Sequence, residues 1–332
     1  MRRALKAFAL LGVSLAPLSA TGQGWLGAPI SCDVGRDCWV VQHFDHDPGS
    51  GALDYQCGPQ AYDAHQGVDI SIGTAANIAR NVPVVAAAAG VVKATRDGEE
   101  DGFVFRNGVN ALRKGVNCGN AVVLEHGNGW TTNYCHLRRG SVAVRKGQRV
   151  NAGERLGAVG MSGKAEFPHL HFTVRYNGRP IDPYAPHGAD ARNCGSAGAG
   201  LWSPAAATRF QYKTISLTGL GLAPERPNRK RAAAGQYDGQ VISSAAEWLV
   251  AWAFIWDVKQ GDTATFQIAD PSGRQILANT TAAKKDWRRW FPFAGQRVRN
   301  RLAPGTYRVS VTVKRPSRPG LVRQRSDGVL IR

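Results

Sequence analysis

The sequence predicts a mainly β protein, in which an antiparallel-sheet domain is followed by a small β-sandwich-like domain. Short apolar stretches separated by glycine-rich turns run from about residue 65 to 185, and a second series of extended stretches follows residue 237. Alternation with a period of two and closely spaced turns are typical of sheet proteins, and no segment shows a sustained helical period. The chain has 332 residues, which is enough for about two domains.

Strand patterns follow one another through the first domain. Residues 68–72 alternate between apolar and polar or small side chains, and residues 83–92 form an apolar run with a glycine inside it. Residues 120–136 contain two strand patterns around an Asn-Gly turn, which predicts a β-hairpin. A further strand is predicted at 169–176. The charged, glycine-rich segment 97–117 interrupts this series and is predicted to be an inserted surface loop.

The second domain has one pronounced strand pattern. Large apolar residues occupy every second position from Trp248 to Val258, which is the period of one face of a strand. Such an aromatic stripe forms core more often than a platform for a ligand, so we expect core. Residues 306–313 and 328–331 are also predicted to be extended.

Five segments are predicted along the chain. They are a signal peptide at 1–20, a disulfide-stabilised lead-in at 21–60, the first β domain at 61–190, a linker at 191–236 and the basic β-sandwich-like domain at 237–332. The N-terminus places basic residues before an apolar stretch that is too short to span a bilayer, which is typical of a signal peptide. An uncleaved membrane anchor is the alternative. No later stretch is apolar enough to cross a membrane, so we expect an exported protein, periplasmic or secreted, without a transmembrane span.

The six cysteines predict disulfide bonds, because their number is even and the chain is expected to be exported. The sequence alone does not choose among the possible pairings. We favour Cys118–Cys135, since both lie on the predicted hairpin, which leaves Cys32–Cys38 and Cys57–Cys194. No two cysteines have C-x-x-C spacing, so a cysteine zinc site or a thioredoxin-type motif is not indicated.

Positive charge is concentrated in the C-terminal part of the chain. The net charge is +18, and residues 203–332 hold 22 Lys and Arg against 8 Asp and Glu. A basic domain of this kind attracts polyanions. For an exported protein we expect anionic wall polymers, anionic lipids or surface sugars rather than nucleic acid. A role in solubility alone is the alternative.

Five polar residues in three short segments form a candidate metal site. His65 and Asp69 are four residues apart, His169 and His171 are two apart, and His136 ends the predicted hairpin. Residues two or four apart on a strand face the same side, so each pair can project from one sheet surface. Imidazole and carboxylate groups suit zinc, and a catalytic zinc site has three protein ligands and one open position. The two further residues can then move protons or stabilise an oxyanion. The remaining histidines are expected to have no catalytic role.

These motifs resemble those of the lysostaphin-type zinc endopeptidases of bacterial cell walls. The resemblance covers roughly residues 60–185 and rests on His-Gln-Gly-Val-Asp-Ile at 65–70, Gly-Asn at 119–120, His-Gly-Asn-Gly at 126–129, Tyr-Cys-His-Leu at 134–137 and Pro-His-Leu-His-Phe at 168–172. It implies that the zinc (Zn²⁺) ligands are His65, Asp69 and His171. It also implies that His136 and His169 activate water and stabilise the transition state. Residues 166–167, Glu-Phe, stand where the family has a small Ser/Thr-Gly pair, a departure that bears on groove shape and substrate choice.

The resemblance implies a zinc-dependent endopeptidase that hydrolyses peptide bonds in cell-wall peptidoglycan. One alternative is a non-catalytic protein of the same fold that binds the wall or regulates a partner. Such proteins usually lose site residues, whereas all five are present here. Another alternative is a lipoyl- or biotinyl-type barrel, which the turn pattern at 144–157 suggests. That kind of module has no need of a set of histidines and a carboxylate.

Overall fold

The computed structural model describes residues 24–188 and 200–332. The predicted signal peptide, the start of the predicted linker and Cys194 lie outside the described residues. Within the described ranges, no helix is long and apolar enough to cross a membrane.

The first domain is built on an eight-stranded antiparallel sheet with the strand order β1-β2-β9-β6-β5-β4-β7, and β10 pairs with β9. A separate pair is formed by β3 and β8. The strands are β1 Trp39–Gln42, β2 Val68–Ser71, β3 Pro83–Val85, β4 Gly90–Arg96, β5 Asn120–Gly127, β6 Trp130–Leu137, β7 Arg149–Val150, β8 Arg155–Ala158, β9 His169–Tyr176 and β10 Arg179–Ile181. The helices are short: α1 Phe103–Asn107 and 3₁₀ turns at Ala75–Arg80 and Val109–Ala111.

Several local predictions for this domain are confirmed. The predicted hairpin is β5–β6, and Asn128 and Gly129 both have positive φ, as its tight turn requires. The predicted strand 169–176 is β9. The apolar run 83–92 is divided between β3 and β4, and the inserted segment 97–117 contains α1 and a 3₁₀ turn rather than loop alone.

Two of the favoured disulfide bonds are present. Cys32 bonds to Cys38 and Cys118 bonds to Cys135. Cys57 is also disulfide-bonded, and its predicted partner Cys194 lies outside the described residues. The Cys118–Cys135 bond ties the start of β5 to the end of β6, where one of the candidate site residues lies.

The second domain consists of two antiparallel sheets that share one hydrophobic core. One sheet has the order β11-β12-β15, with β16 also paired to β12, and the other has the order β14-β13-β17-β18. Its elements are β11 Ser216–Ala223, α3 Arg229–Ala233, β12 Trp248–Val258, β13 Thr263–Ala269, β14 Gln275–Ala282, β15 Trp287–Trp290, β16 Phe293–Arg297, β17 Gly305–Lys314 and β18 Val322–Ile331. Helix α2, Pro204–Arg209, precedes them and packs on the core of the first domain through Ala206. The mainly β, antiparallel fold class predicted from the sequence is confirmed.

The linker prediction for 191–236 is wrong where β11 lies. This strand pairs with β12 along its whole length. Its glycines obscured the strand pattern in the sequence, because glycine weakens an isolated strand. In the structure a Cβ at Gly221 would lie 2.8 Å from the Trp252 ring, so the missing side chain makes room for a large aromatic residue on the partner strand.

The central aromatic residues of the β12 stripe, Trp252, Phe254 and Trp256, are buried, but not in the core between the two sheets, whereas Trp248 at the start of the strand is 44% exposed. The residues that alternate with it, such as Leu249 and Ile255, fill that core. Trp252 and Phe254 belong to a separate cluster, and Trp256 packs with residues of the first domain, namely Trp39, Val41 and Phe167. Both faces of β12 are therefore covered, one by the second sheet and the other partly by the first domain.

Candidate active site

The five predicted site residues lie together on three adjacent strands of the first sheet. Asp69 is on β2, His169 and His171 are on β9, and His136 is near the end of β6. Since β9 pairs with both β2 and β6, the strand order brings the three segments side by side. His65 precedes β2 rather than lying on it, so a loop and not strand alternation places its ring. All are buried except His171, whose side chain is 18% exposed.

Three of these residues form a compact triangle of donor atoms. His65 Nε2 lies 3.2 Å from Asp69 Oδ1 and 3.2 Å from His171 Nδ1, and His171 Nδ1 lies 2.8 Å from Asp69 Oδ1. A tetrahedral zinc ion with ligands at about 2.0–2.2 Å places its ligand atoms roughly 3.3–3.6 Å apart. The triangle, with sides of 2.8 to 3.2 Å, is slightly smaller than this and has the nitrogen and oxygen donors that such an ion requires.

The opposite ring nitrogens of the two histidines in this triangle are also held. His65 Nδ1–H donates to the backbone carbonyl of His43 at 2.5 Å, because a carbonyl can only accept. His171 Nε2 lies 2.9 Å from the hydroxyl oxygen of Thr173. The carbonyl fixes the tautomer of His65, whereas the Thr173 hydroxyl, which can donate or accept, holds the orientation of the His171 ring. Hydrogen bonds of this kind direct the second nitrogen towards a metal. His65 therefore presents Nε2 and His171 presents Nδ1 to the centre.

Gly67 gives the His171 ring its space. A Cβ at this position would lie 2.8 Å from His171 Cε1 and 2.7 Å from the carbonyl oxygen of Phe172, which is closer than real Cβ atoms approach. The glycine between His65 and Asp69 is therefore part of the site.

His136 and His169 lie beside the triangle and share one arrangement. Their Nδ1–H groups donate to backbone carbonyls, that of Ser162 at 2.7 Å for His136 and that of Phe167 at 2.8 Å for His169. In the neutral ring Nε2 then carries the lone pair and can accept a proton. The two ring centroids are 4.6 Å apart, and His169 Nε2 lies 3.5 Å from Asp69 Oδ1.

The backbone of His136 has an uncommon conformation. Its φ is 61°, a left-handed value that a bulky side chain rarely adopts, and it lies where the β5–β6 register is irregular. Two backbone hydrogen bonds hold it: its N–H donates to Cys118 at 2.8 Å, and its carbonyl accepts from Gly160 at 3.0 Å. The local strain thus directs the ring towards the site.

Electrostatics keep the two flanking rings neutral and the carboxylate charged. Burial, followed by the neighbouring His169 and His171, holds the pKa of His136 well below its usual range. Burial also lowers the pKa of His169, although Asp69 opposes this. Burial alone would raise the pKa of Asp69. The nearby His65 and His169 and the hydrogen bond from His171 outweigh burial and hold this pKa well below its usual range. At neutral pH the site therefore holds one carboxylate and two neutral rings that can take up protons.

Two aromatic rings flank the histidines. Tyr62 stacks on His65 with ring centroids 4.3 Å apart, and Phe167 stacks on His169 at 4.4 Å. Phe167 also contacts Trp256 of the second domain at 4.9 Å. The position that departs from the family pattern therefore connects the site to the other domain.

Sequence reasoning missed some contributors to the site. Thr173 lies two residues after His171 on the same strand face, so strand periodicity could have indicated it. Tyr62 has no periodic or motif signal. His43, expected to be a loop histidine without a role, is 1% exposed, and its carbonyl positions His65. His126 bonds instead to Ala89 and Thr132, in keeping with its expected lack of a catalytic role.

Comparisons with known proteins agree with this geometry. The profile of Peptidase family M23 matches residues 63–183. The peptidoglycan DD-endopeptidase ShyA of Vibrio cholerae is 44% identical over 64 residues, which are 19% of this chain and 14% of that protein. The DD-carboxypeptidase/endopeptidase Mpg of Neisseria meningitidis is 35% identical over 119 residues, which are 36% of this chain and 22% of that protein.

Among solved structures, the catalytic domain of the antimicrobial peptidase lysostaphin from Staphylococcus simulans matches with 23% identity and a TM-score of 0.27. That match covers 43% of this chain and 85% of the other. The chain spans less than a quarter of the length of the curated relatives named above. The family match includes all five site residues and confirms the resemblance stated from the sequence. The chain therefore contains a domain of Peptidase family M23 at residues 63–183.

Proposed function

We propose that the protein is a zinc-dependent endopeptidase that hydrolyses peptide bonds in bacterial peptidoglycan. The observation that carries this proposal is the triangle of His65, Asp69 and His171 with two neutral histidines beside it. The names of the relatives ShyA and Mpg, a peptidoglycan DD-endopeptidase and a DD-carboxypeptidase/endopeptidase, support the substrate class.

His65, Asp69 and His171 would hold the zinc ion. When bound, zinc supplies Lewis acidity, which polarises a carbonyl group and makes water more acidic. His136 and His169 each offer Nε2 as a proton acceptor, because Nδ1–H is already bonded to a carbonyl. The ring that takes the proton of the attacking water gains an Nε2–H group. That group can then donate to the developing oxyanion or to the leaving amine.

Purified peptidoglycan tests the proposal directly. The zinc-loaded protein should release fragments with new amino and carboxyl ends, which mass spectrometry identifies, and a chelator should stop their release until zinc is restored. His169→Ala should keep its zinc and lose the activity. A non-catalytic wall-binding or regulatory protein is the alternative. It would sediment with the wall and release no fragments under any of these conditions.

Export follows from the same proposal, because peptidoglycan lies outside the cytoplasmic membrane. The basic and apolar N-terminus and the disulfide bonds support a periplasmic or secreted location. N-terminal sequencing of the mature protein should show cleavage near residue 20. A mature protein that kept the apolar stretch would support the membrane anchor instead.

We also propose that the second domain binds anionic wall polymers or surfaces. Its support is the excess of basic residues, 22 against 8 acidic, over residues 203–332. The whole protein should sediment with insoluble wall at low salt and be released at high salt, since salt screens such contacts. Retention that is the same at both salt concentrations, or that survives removal of the anionic polymers, would contradict electrostatic targeting.

A further inference from the structure

Two consecutive arginines of the second domain lie beside the candidate active site. Arg288 and Arg289 are on β15. The guanidinium carbon of Arg288 lies 5.5 Å from the centroid of the Tyr62 ring, which stacks on His65. That of Arg289 lies 5.5 Å from the centroid of Phe167, which stacks on His169. A guanidinium group of the second domain therefore lies over each of the two aromatic rings that flank the histidines.

The two arginines differ in their surroundings. Arg289 is partly buried and lies over Phe254 at 3.9 Å and Trp256 at 5.4 Å, so it packs into the contact between the domains. Its Nε atom is buried without a hydrogen-bond partner in the described part of the chain. Arg289 therefore helps to hold β15 against Phe167, and its guanidinium is not free to leave the contact.

Arg288, in contrast, is exposed. It makes no ion pair and no side-chain hydrogen bond with any residue in the described ranges. The charge of Glu166 raises the pKa of both Tyr62 and Arg289, so Glu166 is near them. Within the described residues, however, its carboxylate oxygens form no ion pair within 4.0 Å of a nitrogen of Arg288 or Arg289. The charge of Arg288 is therefore left available at the edge of the site.

A guanidinium without a carboxylate partner at the edge of the site can bind a carboxylate of the substrate. Arginine binds carboxylates through two parallel charge-assisted hydrogen bonds, which are about twice as strong as neutral ones. Peptides carry a carboxylate at the C-terminus and on acidic side chains, so a peptide bound across the histidines can present one to β15. The Tyr62 ring limits where the guanidinium can lie, because the cation is held over its face.

We infer that Arg288 is a specificity-determining residue that binds a free carboxylate of the substrate peptide beside the bond to be cut. This inference rests on the proposed function and names the chemical class of its substrate, a peptide with a carboxylate near the scissile bond. It also gives the second domain a direct part in substrate choice. Residues 166–167, which depart from the family pattern, lie where that domain meets the site.

The test compares a cross-linked stem-peptide dimer with its amidated form, in which carbodiimide and ammonia have converted every carboxylate into a neutral carboxamide. The zinc-loaded wild-type protein should cleave the carboxylate form with a kcat/KM about tenfold higher than the amidated form. Arg288→Gln should remove this preference by raising KM for the carboxylate form, with little change in kcat. Arg308→Gln is the matched control, because Arg308 is exposed on β17 of the other sheet and loses the same charge.

A binding measurement separates this inference from the proposed function. The dissociation constants of the two peptides are determined by calorimetry with the chelator-treated full chain, so cleavage is not needed. Tighter binding of the carboxylate form by about tenfold, lost in Arg288→Gln and kept in Arg308→Gln, supports the inference even if neither peptide is cut. Equal binding of both forms by the wild type, or an unchanged preference in Arg288→Gln, overturns it. Cleavage of both peptides at equal rates would then leave the proposed function intact.

Discussion

Replacing Thr173 by valine tests how the structure prepares His171 for a metal. The hydroxyl of Thr173 lies 2.9 Å from His171 Nε2, and Thr173 is 3% exposed. When His171 Nδ1 binds a metal, its proton must be on Nε2, which then donates to Thr173. Valine has nearly the same shape and cannot accept this hydrogen bond, so the ring loses its anchor and the Nε2–H group is left without a partner.

The size of the effect follows from these contacts. Loss of a hydrogen bond behind a metal ligand usually lowers metal affinity by about 10- to 100-fold, or about 1.4–2.7 kcal/mol. We expect the lower half of this range, because His171 is the most exposed of the three proposed ligands, and water can replace part of the lost bond. The carbonyl that holds His65 is backbone and stays in place, so the other two ligands remain directed to the centre.

Zinc competition against a chromophoric chelator at fixed pH measures this loss, and the zinc concentration that half-restores activity should rise by the same factor. Thr132→Val is a matched control. Thr132 is on the neighbouring strand β6, is equally buried and lies 2.8 Å from Nε2 of His126, which is outside the site. Wild-type zinc affinity in Thr173→Val, or an equal loss in Thr132→Val, would refute the assignment of Thr173.

Three further predictions follow from other parts of the structure. His171→Ala should bind no zinc above background, whereas His169→Ala should keep full zinc stoichiometry and lose about 10²- to 10⁴-fold in kcat, as shown by metal analysis and peptide cleavage. Replacing Cys118 and Cys135 together by alanine should lower the free energy of unfolding by about 3 kcal/mol in urea, since the bond closes a loop of 17 residues. Burial lowers the pKa of His43 from 6.5 to about 4. The stability that its neutral ring contributes is therefore complete above pH 6.5 and is lost as the pH falls towards 4, by about 3 kcal/mol in all. Urea unfolding of the wild type and His43→Gln across this range should show the difference; parallel pH profiles would contradict it.

The sequence predicted those parts of the fold whose signal is local. The β5–β6 hairpin and β9 were found because a turn dipeptide and an alternating pattern mark them directly. Strand β11 was missed because its glycines are needed by an aromatic neighbour on β12, and that neighbour is distant in the chain. The period of the β12 stripe showed which residues share a face, but a period contains no information about what covers that face.

The same distinction applies to the site. His65, Asp69, His136, His169 and His171 were predicted because the motifs that contain them keep a recognisable order and spacing. Tyr62 and Thr173 have no such motif, and their roles depend on ring stacking and on a hydrogen bond that only the folded chain shows. The sequence can therefore identify the metal-binding chemistry before it can identify the contacts that support it.

The two parts of the site thus have different origins in the chain. The groups that would bind zinc and move protons all lie within the family domain, held by its strands and by backbone carbonyls. Phe167 and the two arginines of β15 lie at the same site, and these groups meet only where the second domain packs on the first. A change on β15 can therefore alter which peptide is bound without altering a single residue that would take part in the chemistry. For this reason, the match to the family over residues 63–183 supports the proposed type of reaction, whereas the choice of substrate has to be argued from the contact between the domains.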